Sequence, residues 1–191
     1  MKIKEEIRII AWDDCAFRFR QKQVLVVGAI FRGGKFLDGL LSTKIRKDSM
    51  DATKKIIKSI NKSRHYDQLS LVMLDGISYA GFNLIDIKEL NKKTKLPVIV
   101  IQRKVPDTKK FSDAMKIFKD YKKRVGIVKK AGRFYRYKTQ RGEIFYQKQG
   151  ISDEYCRKIF EITCVRSNVP EPLRVAHLIA SGLSGESKGR A

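Results

Sequence analysis

The chain has 191 residues, 42% of them hydrophobic, enough for one domain with a substantial core. Lys and Arg number 42 against 20 Asp and Glu, and a formal net charge of +22 attracts polyanions, nucleic acid first among them. No run reaches the roughly 18 apolar residues that a membrane-spanning helix needs, the Met-Lys-Ile-Lys-Glu-Glu start lacks a secretory apolar core, and Cys15, Cys156 and Cys164 have neither disulfide-framework nor zinc spacing.

A single domain over 1–191 in the cytoplasm is therefore the default expectation. Residues 7–12 predict a first strand that stops at Asp13-Asp14, two adjacent acids that repel each other unless something positive is near. A loop with Phe17, Arg18 and Arg20 leads to an apolar strand over 23–32, and Gly33-Gly34 turns the chain into a third strand over about 35–46. Their links are too short for crossovers, so these three strands form an antiparallel meander.

From Asp51, read as an N-cap, Ala52, Ile56, Ile57 and Ile60 recur at helical spacing. Next comes Leu-Ser-Leu-Val-Met-Leu-Asp75-Gly76, an apolar run that ends at a carboxylate followed by a turn-permitting glycine. Leu84, Ile87 and Leu90 mark a second helix, and 97–102 is a short β-branched run suited to a buried parallel strand. Strands separated by helices imply right-handed crossovers. The order fits a ribonuclease H-like fold, α/β with a mixed five-stranded sheet, in which the first strand neighbours the fourth. Asp13 and Asp75 then end adjacent parallel strands about 4.8 Å apart, at the sheet end where open α/β folds bind ligands.

Residues 102–141 hold 15 Lys or Arg and only three acids. Phe111, Ala114, Met115, Phe118 and Tyr121 form a helical stripe that reads as core packing. Lys129, Lys130, Arg133, Arg136, Lys138 and Arg141 interleave with Phe134, Tyr135 and Tyr137, and Arg141-Gly142 turns between strands at 134–137 and 144–147. This insertion-like hairpin, within a basic region of about 104–148, could contact phosphates and stack on bases, or pack its aromatics inward. Helices follow over about 152–183. Ser152 opens one with Cys156, Ile159, Phe160, Thr163 and Cys164 on one face; the other starts after Pro170-Glu171-Pro172, and a polar, mobile tail closes the chain.

Carboxylates at neighbouring strand ends suit Mg²⁺, a hard ion that keeps open positions for a reacting phosphate, and metal-dependent phosphodiester hydrolysis is the chemistry they favour. Asp48 or Asp51 is placed to supply a third acid, Asp48 preferred because Asp51 also reads as a helix cap. Asp14 is an alternate for Asp13, because consecutive strand residues face opposite sides. His65 and His177 are the only histidines. His177 lies one helical turn from Arg174, so the two could act together on a phosphate.

Asp38-Gly39, Asp48 with Asp51-Ala52-Thr53, Leu74-Asp75-Gly76, Gly81-Phe82-Asn83, Pro97-Val98-Ile99, Pro170-Glu-Pro-Leu-Arg-Val-Ala-His177 and the Gly-Glu-Ser-Lys-Gly-Arg end resemble a mostly archaeal family related to endonuclease V and known as endonuclease dU. The resemblance covers essentially the whole chain. It implies a metal-dependent endonuclease, using Mg²⁺ or Mn²⁺, for DNA with deaminated bases, deoxyuridine above all. It places Asp13, Asp48 and Asp75 at the metal, His177 as an auxiliary catalytic group, and Arg103 with Lys104 on phosphate. Lys129, Lys130, Arg133, Arg136, Lys138 and Arg174 complete the expected nucleic-acid contacts. Ala-Trp-Asp-Asp-Cys stands where the family resemblance leads one to expect Gly-Ile-Asp-Asp-Gly, and Ser49 replaces a glycine. No counterpart of the duplex-opening wedge of endonuclease V is visible, which leaves 133–137 or Phe17 for that task. A noncatalytic DNA- or RNA-binding protein on the same fold is the alternative. An enzyme acting on a small phosphorylated metabolite fits less well, because it has little use for so extended a basic region.

Overall fold

The three N-terminal apolar runs pair as their short links require. In the computed structural model of the protein, which describes residues 4–185, they form β1 (Arg8–Asp14), β2 (Gln23–Arg32) and β3 (Phe36–Arg46), antiparallel in sequence. Then follow α1 (Ala52–Asn61), β4 (Leu71–Asp75), a hairpin of β5 (Ser78–Tyr79) and β6 (Asn83–Leu84), α2 (Ile87–Thr94) and β7 (Val98–Gln102). The basic region holds α3 (Thr108–Ala114), α4 (Tyr121–Lys130), β8 (Tyr135–Thr139) and β9 (Gly142–Gln149), and the described chain closes with α5 (Asp153–Thr163) and α6 (Glu171–Gly182). The predicted mobile tail, from residue 186 onward, lies outside the described residues. No helix among the described residues is long and apolar enough to cross a membrane.

The main sheet runs β3-β2-β1-β4-β7-β9-β8, with β1, β4 and β7 mutually parallel. It has seven strands, where the sequence reading gave five. The difference is the basic hairpin: β9 pairs antiparallel with β7, which would otherwise be an open edge. The buried residues Ile144 and Tyr146 drive that docking. On β8, Tyr135 stacks on Tyr146 at 5.4 Å and Tyr137 packs against Phe160 at 5.2 Å, while Arg136 and Lys138 alternate outward. Of the two readings of this hairpin, the inward-packed one holds for its tyrosines.

Alternation along the strands gives the sheet two apolar faces. Ile10, Trp12, Val72, Leu74, Val98 and Val100 meet α1 and α2 on one side. Ile9, Ala11, Leu71, Met73, Ile99 and Ile101 meet α5 and α6 on the other. The Trp12 indole lies over Gly28, its partner across β2, where a Cβ would stand 2.9 Å from three ring atoms.

Some boundaries moved for local reasons. Leu84 belongs to β6, and α2 begins only after Asp86, whose side chain accepts from the amides of Lys88 (3.0 Å) and Glu89 (3.1 Å). The stripe at 111–121 is split between α3 and α4. Phe111, Met115, Phe118 and Tyr121 still pack with Leu84 and Phe82, whereas Ala114 is exposed.

At the carboxyl end of the parallel strands, the buried Tyr79 ties β1 to β4. Its hydroxyl donates to the Trp12 carbonyl (2.6 Å) and accepts from the Asp75 amide (3.1 Å). Removing the hydroxyl leaves a buried carbonyl and amide short of a partner, at a cost of about 1–3 kcal/mol. We expect Tyr79→Phe to lower the denaturant midpoint accordingly with an unchanged slope; an unaltered midpoint would show that the bridge does not hold the strands.

Candidate functional site

β1 and β4 lie side by side in register Trp12↔Leu74, so the next residues, Asp13 and Asp75, stand together at the strand ends. Both continue the alternation that faces α6. From α6, His177 completes the group: one ligand atom from each of Asp13, Asp75 and His177 lies within 4.8 Å of the other two. His177 Nδ1 donates to Asp13 Oδ2 at 2.7 Å, and Asp13 Oδ1 accepts from the Asp14 amide at 2.8 Å. Asp14 points to the opposite face, where its Oδ2 accepts from the Ala80 amide at 2.7 Å. The choice between Asp13 and Asp14 left by the sequence is thus resolved geometrically in favour of Asp13 facing Asp75.

Burial pushes the Asp75 carboxyl up to about 6, with the Asp13 charge adding to the effect and the charges of Arg103 and His177 opposing it. Asp14 is likewise raised to about 6, mainly by burial. The hydrogen bond to Asp13 holds His177 above its ordinary value. Two carboxylates and an imidazole within this span match the donor preferences and reach of a divalent cation of the Mg²⁺ or Mn²⁺ type. Raised carboxyl pKa values are the expected signature of acids gathered for a positive partner.

Asp48 stands outside this group. At φ 53, it turns its Oδ1 to the Phe82 amide (2.9 Å) and comes within 4.0 Å of Lys47 Nζ. Asp51 occupies the N-cap position of α1 but makes no capping bond with its side chain. It accepts from the Arg46 amide at 3.2 Å and from Asn83 Nδ2 at 2.7 Å, while Asn83 Oδ1 takes the Ala52 amide at 2.9 Å. Asn83, buried and from another loop, does the capping that the sequence reading gave to Asp51.

The predicted basic contacts divide into two sets. Arg103 directly follows β7, and its charge acts on both Asp75 and His177. Lys104, Lys129, Arg133 and Lys138 are exposed, with Arg133 lying over the Tyr135 ring at 4.6 Å. Lys130 reaches Asp86 at 3.4 Å, Arg136 pairs with Glu143, and Arg174 is gripped by Glu171 at 2.6 and 2.8 Å. These three are tied to acids.

Phe17 is half-buried against the core, and the tyrosines of 133–137 face α5, so neither is free to enter a duplex. The loop after Asp14 instead carries Phe19, 90% exposed and braced by Lys47, whose Nζ lies 4.5 Å from its ring centre and donates to its carbonyl at 2.8 Å. An apolar residue in a basic loop beside the acid pair was its only sequence signal. Tyr79 and Arg124 were also missed, because their partners are remote in sequence.

The sequence pattern of the family described as endonuclease dU matches residues 5–184. A UPF0215 protein of Methanosarcina barkeri is 49% identical over 190 residues, covering 99% of this chain and 97% of that protein. Among solved structures, a protein of unknown function from Archaeoglobus fulgidus superposes with a TM-score of 0.85 at 35% identity, over 94% of this chain and 99% of the other. Ciona intestinalis endonuclease V, in complex with a 24mer DNA containing an inosine followed by a ribo-adenosine, superposes with a TM-score of 0.58 at 12% identity, over 91% and 84%. That last likeness is one of fold.

The raised acids set a direction for stability. Asp14 and Asp75 bind protons more tightly folded than unfolded, so the metal-free chain is favoured where they are protonated and loses that advantage as pH rises from about 4 through about 6. The raised His177 acts in the same sense, because its contribution is lost as pH climbs through its folded value. Asp38 and Asp51, held below their ordinary range, stay ionised throughout this window. In chelator, Tm should fall between pH 5.0 and 7.5 by roughly 5 °C, at about 2–4 °C per kcal/mol for a chain of this length. Asp75→Asn should flatten that slope, and Mn²⁺ should raise Tm more at pH 7.5 than at 5.0. An equal slope in wild type and variant would remove Asp75 as its source.

Proposed function

The chain belongs to the endonuclease dU family, and from that premise we propose that it is a metal-dependent endonuclease of DNA repair, cleaving DNA that contains deaminated bases, deoxyuridine first among them. The observation that carries this reading is the grouping of Asp13, Asp75 and His177 at the ends of β1, β4 and the face of α6. The excess of basic residues and the likeness of fold to endonuclease V support it.

Asp13 and Asp75 would hold the divalent cation, which when bound supplies charge against that developing on a phosphoryl oxygen. Arg103, beside Asp75, neutralises the phosphate entering the site and orients it towards the acids. His177 keeps its Nδ1 proton on Asp13, which fixes the carboxylate, and the other imidazole nitrogen remains for delivering a proton to the leaving oxygen. Asp48 and Asp14 brace the loop at 80–82 through its amides, which steadies the rim of the site. Lys104, Lys129, Arg133 and Lys138, exposed and unopposed by close carboxylates, follow the strand backbone. Phe19 is the apolar residue presented for opening the duplex.

Labelled single strands and duplexes carrying deoxyuridine, deoxyinosine or no lesion, with and without Mg²⁺ or Mn²⁺, test the reading. We expect metal-dependent nicking near a lesion. Asp75→Asn should reduce it by at least about 10³-fold while leaving salt-sensitive binding in place, and binding without nicking under every condition would favour the noncatalytic alternative. Phe19→Ala should slow nicking of duplexes by about tenfold or more and spare single strands, since only duplexes carry the unstacking cost. Equal losses on both substrates would exclude a role in opening.

A further inference from the structure

On the face of the sheet away from Asp75, β7 and β9 form the floor of a cavity of ≈ 490 Å³, walled by α3 and α4 and opening beside Gly76. Its walls include Phe111 and Phe134, and the exposed Lys129 lines it as well. Gln147 lies in its floor, 2% exposed. The Gln147 Nε2 donates to the Gly132 carbonyl at 2.7 Å, which fixes the sense of the amide. Its Oε1, fully buried, accepts no hydrogen bond from any described residue. A buried carbonyl oxygen in an otherwise apolar pocket calls for a donor. Gln102 lies two residues along β7 from Val100, the strand partner of Gln147, and so shares its face; its Nε2 is 3.8 Å from where a Cβ on Gly76 would be. The cavity thus offers an acceptor at its floor and a second amide at its wall.

We propose that this cavity receives an extruded nucleobase and that Gln147 is the residue that selects deaminated bases, through a ring N–H donating to its Oε1. The inference rests on the functional reading above and deepens it. Deamination of cytosine to uracil, or of adenine to hypoxanthine, replaces an exocyclic amino group with a carbonyl and turns the adjacent ring nitrogen from acceptor to donor. Uracil and hypoxanthine therefore satisfy Gln147 Oε1, and the Gln102 amide can donate to the new carbonyl. Cytosine and adenine bring a ring lone pair against an oxygen that cannot move away. The size of the cavity admits either a pyrimidine or a purine, and Phe111 and Phe134 supply apolar walls of the kind against which a flipped base packs.

The test measures binding instead of cleavage, so that it is separable from the nuclease assay. Asp75→Asn protein, in chelator, is titrated into labelled single strands of dC and dA that carry one central dU, one dI, one N3-methyl-dU or no substitution. We expect dU and dI strands to bind about 10–100-fold more tightly than the unsubstituted strand, and N3-methylation to abolish the gain. Adding Gln147→Met should collapse the preference to within about twofold while leaving the affinity for the unsubstituted strand and its salt dependence as they were. The methylated strand probes the same contact on unaltered Gln147, so a poorly folded variant does not blunt the result. A preference that survives Gln147→Met, or equal binding of dU and N3-methyl-dU strands, overturns the assignment even if lesion-dependent nicking is found. A Gln147-dependent preference with no nicking by the wild-type protein would keep the pocket and sink the endonuclease.

Discussion

Two carboxylates must stand side by side in a half-buried site, and much of the surrounding structure deals with their mutual repulsion. Asp13 and Asp75 are brought together by a parallel strand pair, which leaves their backbones no freedom to separate. Tyr79 clamps the two strands at the residue before one acid and at the amide of the other. His177 places a cationic partner on Asp13, and Arg103 adds a second positive group near Asp75. With these neighbours the acids are still raised by burial, so the arrangement is best satisfied by a further positive charge between them.

The basic region is part of this arrangement. Arg124 on α4 is 3% exposed and reaches the Asp48 carbonyl at 2.8 Å and the Phe82 carbonyl, while its Nε pairs with Asp120 at 2.6 Å and its guanidinium covers the Phe118 ring at 4.1 Å. One buried cation thereby ties α4 to the loops carrying Asp48 and Phe82, on either side of α1. A buried guanidinium without those acceptors would be strongly destabilising. The positive charge of 102–141 accordingly does two kinds of work: Arg124 and Lys130 hold the region on the fold, and Arg103, Lys104, Lys129, Arg133 and Lys138 face outward.

What the sequence disclosed follows from how local each signal is. The strand ends at Asp13 and Asp75 were legible because an apolar run that halts at an acid needs only its own residues to be read. The antiparallel meander and the parallel crossovers followed from link lengths. The side on which each acid faces was not legible, since a one-residue change of register exchanges Asp13 with Asp14. Asp51 looked like a cap from its position, yet Asn83, more than thirty residues away, performs that role, and nothing in the local pattern could reveal it. The hairpin was read correctly as two strands, but its place in the sheet depends on Ile144 and Tyr146 meeting α5, a contact between distant segments. Phe19 and Gln147 carry no motif at all; their interest lies in exposure and in an unmet hydrogen bond, which are properties of the folded chain.

The Asp75-Gly76 pair shows why an ordinary-looking turn can be hard to interpret. Asp75 presents its carboxylate to the α6 face, and Gly76, at φ +69, bends the chain into the wall of the cavity on the other face. A side chain at position 76 would be strained at that φ and would crowd the Gln102 amide. The glycine therefore serves the chemistry on one side of the sheet and the shape of the cavity on the other. An acid followed by glycine at the end of a buried strand is a common turn by composition. Here it is the point where the group that acts and the pocket that selects come within one peptide unit of each other, so a substitution that leaves the carboxylate untouched can still disturb recognition.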